Sequence, residues 1–163
     1  MSTPASAPIL RIEEAHAQLP PRGGLLGLDL GTKTIGIASC DPDRRLAAAV
    51  ETIARKQFTP DAARVLKLAG DRGAVGFVLG LPVNMDGSEG PRAQSTRAFA
   101  RNFAKLTELP IILWDERLST AAVERDLLSA DVSRAKRAAV VDQHAAAFIL
   151  QGALDRLRFL AGA

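Results

Sequence analysis

The chain has no tyrosine, one cysteine, one tryptophan, two histidines and two methionines in 163 residues. Each scarcity closes a route. With aromatics at only 4%, the base-stacking platform used by single-strand binders is not evident. A lone Cys40 makes no internal disulfide and supplies no cysteine zinc site. It follows a strand-like run and reads as a small core residue rather than a nucleophile. His16 falls near the N-terminus and His144 in a helical stretch, so a histidine-rich zinc hydrolase site is not expected. No apolar run is long enough to span a bilayer, and the N-terminus lacks the basic start and apolar segment of a secretory signal. These absences predict a cytoplasmic protein without a membrane partner.

What is present fits one ordinary globular domain: 47% of residues are apolar and 24% charged. A net charge of +3 permits a nucleic-acid partner without demonstrating one, so the placement of the charges matters more than their sum.

Residues 1–22 are rich in Ala and Pro and lead into Pro20-Pro21-Arg22-Gly23-Gly24. They read as a partly flexible N-terminal arm in which 9–19 form a turn or two of helix docked on the body. Residues 23–163 form the domain. Strands are predicted at 25–30, 34–40 and 46–53, with Asp41-Pro42-Asp43 turning between the second and third. Such short links imply antiparallel neighbours. A helix over 60–71, a buried strand over 75–79, a loop over 82–90 and a helix over 91–107 follow. A strand over 111–114 precedes helices over 120–129 and 134–158, capped by Ser119 and Ser133. The predicted class is α/β, with a mixed five-stranded sheet. Three antiparallel strands are followed by parallel βα units, with helices on both faces. That order is also the order of the ribonuclease H-like fold, a likeness of fold that says nothing of activity.

Three acids occupy costly positions. Asp29 stands inside the apolar run Leu25-Leu26-Gly27-Leu28-Asp29-Leu30-Gly31, where an unpaired charge must be neutralised, paired or bound to a metal. Gly27 and Gly31 share its face and open space around it. Taken alone, Asp29 is equally a strand-end residue leading into a Gly-Thr turn. Glu116 lies just past the strand Ile111-Ile112-Leu113-Trp114, where ligands of parallel sheets bind. Asp115 beside it points the other way by alternation, so one of the two is structural. Arg117 can pair with either acid or with a phosphate. Asp142 sits well inside a helix with Ala138, Ala145, Ala146 and Ile149 as its facing neighbours, an apolar stripe unlike a solvated face. A salt bridge across the interface is its bland explanation. Together the three make a hard-metal site, and oxygen ligands suit Mg²⁺ or Mn²⁺. Two such ions stabilise both oxygens of a phosphodiester displacement.

Four ordered motifs carry a specific likeness: Gly27-Leu28-Asp29-Leu30-Gly31-Thr32-Lys33-Thr34-Ile35-Gly36, the stretch Gly80-Leu81-Pro82 to Gly90, Asp115-Glu116-Arg117-Leu118-Ser119-Thr120, and Asp142-Gln143-His144-Ala145 to Leu150. They resemble the YqgF family, also called RuvX, whose members are described as Holliday junction resolvases or pre-16S rRNA nucleases. The resemblance runs from about Leu25 to Leu157. It implies a ribonuclease H-like fold and metal-dependent endonuclease chemistry, with the acidic triad on Asp29, Glu116 and Asp142.

Candidate phosphate contacts come from basic residues. Arg134, Lys136 and Arg137 crowd the first turn of a helix, opposing its dipole at about 0.3–1 kcal/mol each unless an anion binds there. Lys33 directly follows the first acid motif. Arg97, Arg101 and Lys105 line one helix face, a pattern that usually marks only a solvated surface. In the 82–90 loop Asn84 and Ser88 can bind substrate, although a purely structural loop is an equal reading. The expected function is a metal-dependent endonuclease on structured nucleic acid, most simply pre-16S rRNA during ribosome biogenesis. A DNA junction resolvase, which needs a symmetric dimer, and a non-catalytic binding factor are the alternatives, so monomer and homodimer both stay open. A sugar kinase or actin-like ATPase, suggested by Asp-Leu-Gly-Thr, needs two such domains and is disfavoured by length.

Overall fold

A computed structural model of the chain describes the backbone of residues 6–118 and 134–162, and the side chains of residues 6–118 and 144–162. Its described elements are β1 (Ile9–Arg11), α1 (Ile12–Gln18), β2 (Leu26–Leu30), β3 (Thr34–Cys40), β4 (Ala47–Ala54), α2 (Phe58–Asp71), β5 (Phe77–Leu81), α3 (Pro91–Ala104), β6 (Ile111–Asp115) and α4 (Arg134–Leu160). The helix expected over 120–129, with both serine caps, lies outside the described residues.

The strands form one sheet in the order β1-β6-β5-β2-β3-β4. β2, β3 and β4 make the expected antiparallel meander. β5 joins the other side of β2 in parallel, and β6 continues that direction. The tight turn before β4 uses the Asp41 carboxylate, which accepts the N–H groups of Arg45 and Leu46 at 2.9 Å each. The parallel strands β2, β5 and β6 thus end at the same edge of the sheet.

Six strands rather than five are present, and the sixth comes from the segment expected as an arm. Ile9–Arg11 pairs in parallel with the outer edge of β6, Ile9 opposite Ile111. A three-residue strand is too short to show alternation, and pairing with β6 stabilises it. α1 then docks beside α4, burying Ile12 and Ala15.

Alternation along the strands divides the interior into two layers. Leu26, Leu28, Leu30, Ile35, Ile37, Phe77 and Leu79 face α2 and α3. Leu25, Ala38, Val78, Ile112 and Trp114 face α1 and α4. α4 lies very close to its side of the sheet. A Cβ at Gly27 would stand 2.8 Å from Leu150 Cβ and 3.1 Å from the Ala146 carbonyl oxygen, so only glycine fits there. Gly31 serves a different purpose from the one expected. Its N–H donates to the Thr34 carbonyl at 2.9 Å and closes the β2–β3 turn. α4 bends at His144 (φ −119°, ψ 15°), where an unbroken helix is expected from the sequence.

Candidate active site

Asp29 is half-buried near the end of β2 and faces α4, opposite Gly36 on β3. A Cβ at Gly36 would lie 3.6 Å from both Asp29 Cβ and Ala146 Cβ, ordinary contact distances. A cavity of about 30 Å³ opens here between Asp29, Thr34, Gly36, Thr52, Ala145 and Ala146. Glu116 follows the last residue of β6, and its side chain folds back across β5. A Cβ at Gly80 would stand 2.5 Å from Glu116 Oε1 and 2.6 Å from Ile149 Cδ1. The missing side chain at 80 therefore makes the place that Glu116 occupies.

Asp29 and Glu116 act on each other electrostatically. Burial pushes the Glu116 carboxyl up to about 7, the negative charge of Asp29 adds to the shift, and Arg92 opposes it. Arg92, in the first turn of α3, also points a guanidinium N–H at the Leu30 carbonyl at 3.5 Å. Neither Gly80 nor Arg92 stands out in the sequence as a site residue. A glycine interrupting an apolar strand was the one available signal for Gly80.

Asp115 takes the opposite direction, as alternation requires. Its carboxylate accepts Arg117 Nε at 3.0 Å and Nη2 at 2.6 Å. Burial works against its charge, yet the Arg117 hydrogen bonds hold its carboxyl below the ordinary range. The other Arg117 nitrogen donates to the carbonyls of Asn84 and Met85 at 3.3 Å each. Arg117 thus ties the end of β6 to the 82–90 loop. Asn84 and Ser88 bond to each other, Nδ2 to Oγ at 3.1 Å, and the Ser88 hydroxyl donates to Asp86 at 2.6 Å. Lys33 is exposed in the β2–β3 turn beside the site. Arg97, first of the basic stripe, is held by Glu89 at 2.6 and 2.7 Å.

Asp142 belongs to α4, four residues before Ala146 and on the other side of the bend at His144. Its side chain and those of Arg134, Lys136 and Arg137 lie outside the described residues. Among the described residues no group of three His, Cys, Asp or Glu forms a metal cluster. Of the described candidate acids the site holds Asp29 and Glu116, while Glu51, which also lines the cavity, is bound to Arg64 at 2.6 Å. Cys40 is half-buried, accepts the Leu25 N–H at 3.3 Å, and has its thiol pushed up by burial, as a packing residue would. No described helix is long and apolar enough to cross a membrane.

A mixed sheet of this order, with acids at the ends of β2 and β6, the two parallel strands that flank β5, and a helix crossing beside them, defines a ribonuclease H-like domain. Two solved structures share that fold: RuvC of T. thermophilus in complex with a Holliday junction substrate (TM-score 0.52, 13% identity, 86% of this chain and 96% of that chain), and the yeast mitochondrial Holliday junction resolvase Ydc2 (TM-score 0.50, 13% identity, 93% and 85%). The model of the RuvX family, described as Holliday junction resolvase, matches residues 23–156, and the chain belongs to that family. It is 75% identical over 154 residues to a protein of Rhodopseudomonas palustris strain BisB18, covering 94% of each chain. It is 71% identical over 154 residues to one of Nitrobacter hamburgensis, again covering 94% of each. Both carry the name "Putative pre-16S rRNA nuclease".

Proposed function

We propose that the chain is a divalent-metal-dependent endonuclease that hydrolyses phosphodiester bonds in structured RNA, its substrate being the end of pre-16S rRNA. The observation that carries this reading is the pairing of Asp29 with Glu116. Two carboxylates are held near each other, one of them raised to about 7 by burial and by its neighbour's charge. A hard cation relieves that repulsion and accepts both sets of oxygens, so the residues fit Mg²⁺ or Mn²⁺. Asp29, Glu116 and Asp142 are the ligands in this account. When bound, a pair of such ions supplies Lewis acidity at the phosphate and lowers the pKa of the attacking water.

The chain's own residues do the rest. Gly80 leaves Glu116 the space to reach its position. Arg92 and Lys33 put positive charge at the same sheet edge, where a phosphate must pass. Arg134, Lys136 and Arg137, in the first turn of α4, are the further phosphate contacts in this account. Arg117, Asn84 and Ser88 act on the substrate through the shape of the loop they hold together.

The names of the close relatives favour RNA. The description of the family favours a four-way DNA junction instead, and a resolvase of that kind works as a symmetric dimer. The two are separated by incubating a pre-16S rRNA end fragment and a four-way DNA junction with the protein, with Mg²⁺, Mn²⁺ or EDTA. We expect metal-dependent cutting of the RNA and its loss in Asp29→Asn. Cutting of the junction alone would establish the resolvase. Binding of both without cutting, in any metal, would overturn the nuclease reading in favour of a binding factor.

A further inference from the structure

The 82–90 loop holds one apolar side chain out in solvent. Met85, at 87%, is the most exposed large hydrophobic residue among those described. A single exposed apolar residue is ordinary on a protein surface. What sets Met85 apart is the frame beneath it. The Asn84 N–H donates to the Ser88 carbonyl at 2.9 Å, and the Gly87 N–H returns to the Asn84 carbonyl at 2.8 Å. Gly87 adopts φ +88°, a left-handed turn conformation suited to glycine. Asp86 takes both the N–H and the hydroxyl of Ser88, at 2.9 and 2.6 Å.

Both legs of the loop are then clamped. Arg117 bonds the carbonyls of Asn84 and Met85 from the β6 side. Glu89 holds Arg97 of α3 with both oxygens. Arg117 directly follows Glu116, so the tip is tethered to the candidate active site at the shared end of the parallel strands. Asn84, Asp86 and Ser88 bond to one another on this frame, and Met85 is the exposed large apolar side chain of the tip.

Resting on the nuclease reading above, we propose that Met85 is a wedge that inserts between adjacent bases where a strand opens. It thereby sets which phosphate reaches the carboxylates. Apolar wedges, methionine among them, unstack base steps in this way, at a cost that is least where stacking is already broken. That confines productive binding to helix ends and branches rather than continuous duplex. The thioether adapts to the face of any base and gains a sulfur–aromatic contact there.

The test uses the full chain and an RNA helix with a single-stranded tail, carrying 2-aminopurine at the helix–tail boundary. Met85→Ala and Met85→Leu both keep the backbone carbonyl that Arg117 holds. Wild-type protein should raise the fluorescence of the probe as its base unstacks. Met85→Ala should lose that rise and bind about five-fold more weakly, the effect of one lost apolar contact with a base, while Met85→Leu, which keeps the apolar bulk, restores both. A loop role that was merely structural would not be rescued by leucine and would not move the probe. An Ala variant with wild-type fluorescence and affinity overturns the wedge. So does wild-type protein that cuts the RNA without moving the probe, and that result leaves the nuclease reading standing. Wild-type protein that neither binds nor cuts this RNA or a four-way junction removes both.

Discussion

The two faces of the sheet are packed by opposite means. Against α2 and α3 the space is filled by bulk, with Phe77 and Phe103 edge to face at 4.9 Å and Phe99 stacked on Phe103 at 5.6 Å. Against α4 it is closed by absence, with Gly27 and Gly80 letting a helix and a glutamate side chain come where a Cβ would crowd or collide. The acids belong to that second face. Strand alternation thus assigns adjacent residues to separate tasks, Leu28 and Leu30 to the aromatic core and Asp29 to the site. A filled face gains stability from each atom it buries, while an emptied face yields room and tolerates little.

The comparison breaks most visibly on the filled side. Phe103→Ala leaves a hole between α3 and β5 and should cost about 3–5 kcal/mol in urea denaturation, with metal binding kept in the protein that stays folded. A loss under about 1 kcal/mol would show that the aromatic cluster is not the core it looks like. Gly80→Ala attacks the other face by adding one carbon. Overpacking against Ile149 and Glu116 should cost about 1–3 kcal/mol. Displacing Glu116 should lower cleavage about a hundredfold, measured as kcat on the RNA fragment. Wild-type cleavage in that variant would mean that Glu116 works from another position.

Much of this was legible in the chain. Asp29 and Glu116 stand out because each ends or interrupts an apolar run, where a carboxylate is costly unless used. The meander is legible because its turns carry Asp, Pro and Gly between alternating segments. Three things were hidden. β1 has too few residues for periodicity and is held by its pairing with β6. Gly80 matters only because β6 returns its following glutamate across β5, a relation of register rather than sequence distance. Arg92 reads as one more surface cation until the fold sets it near Glu116. Arg97, on the helix face whose spacing usually marks only a solvated surface, is paired to Glu89.

The central claim is that Asp29 and Glu116 form a cation site, and Mn²⁺ titration of metal-free protein by calorimetry tests it most directly. Glu116 holds its proton to about 7, above the ordinary carboxylate value of 4.5. The metal-free fold therefore loses stability as pH rises through that window, and the ionised ligand becomes available only toward its top. Binding should be about tenfold tighter at pH 8 than at pH 6, with a proton released at the lower pH. Glu116→Gln should bind weakly and without that pH dependence. Affinity equal at the two pH values, or unchanged in Glu116→Gln, would contradict the account.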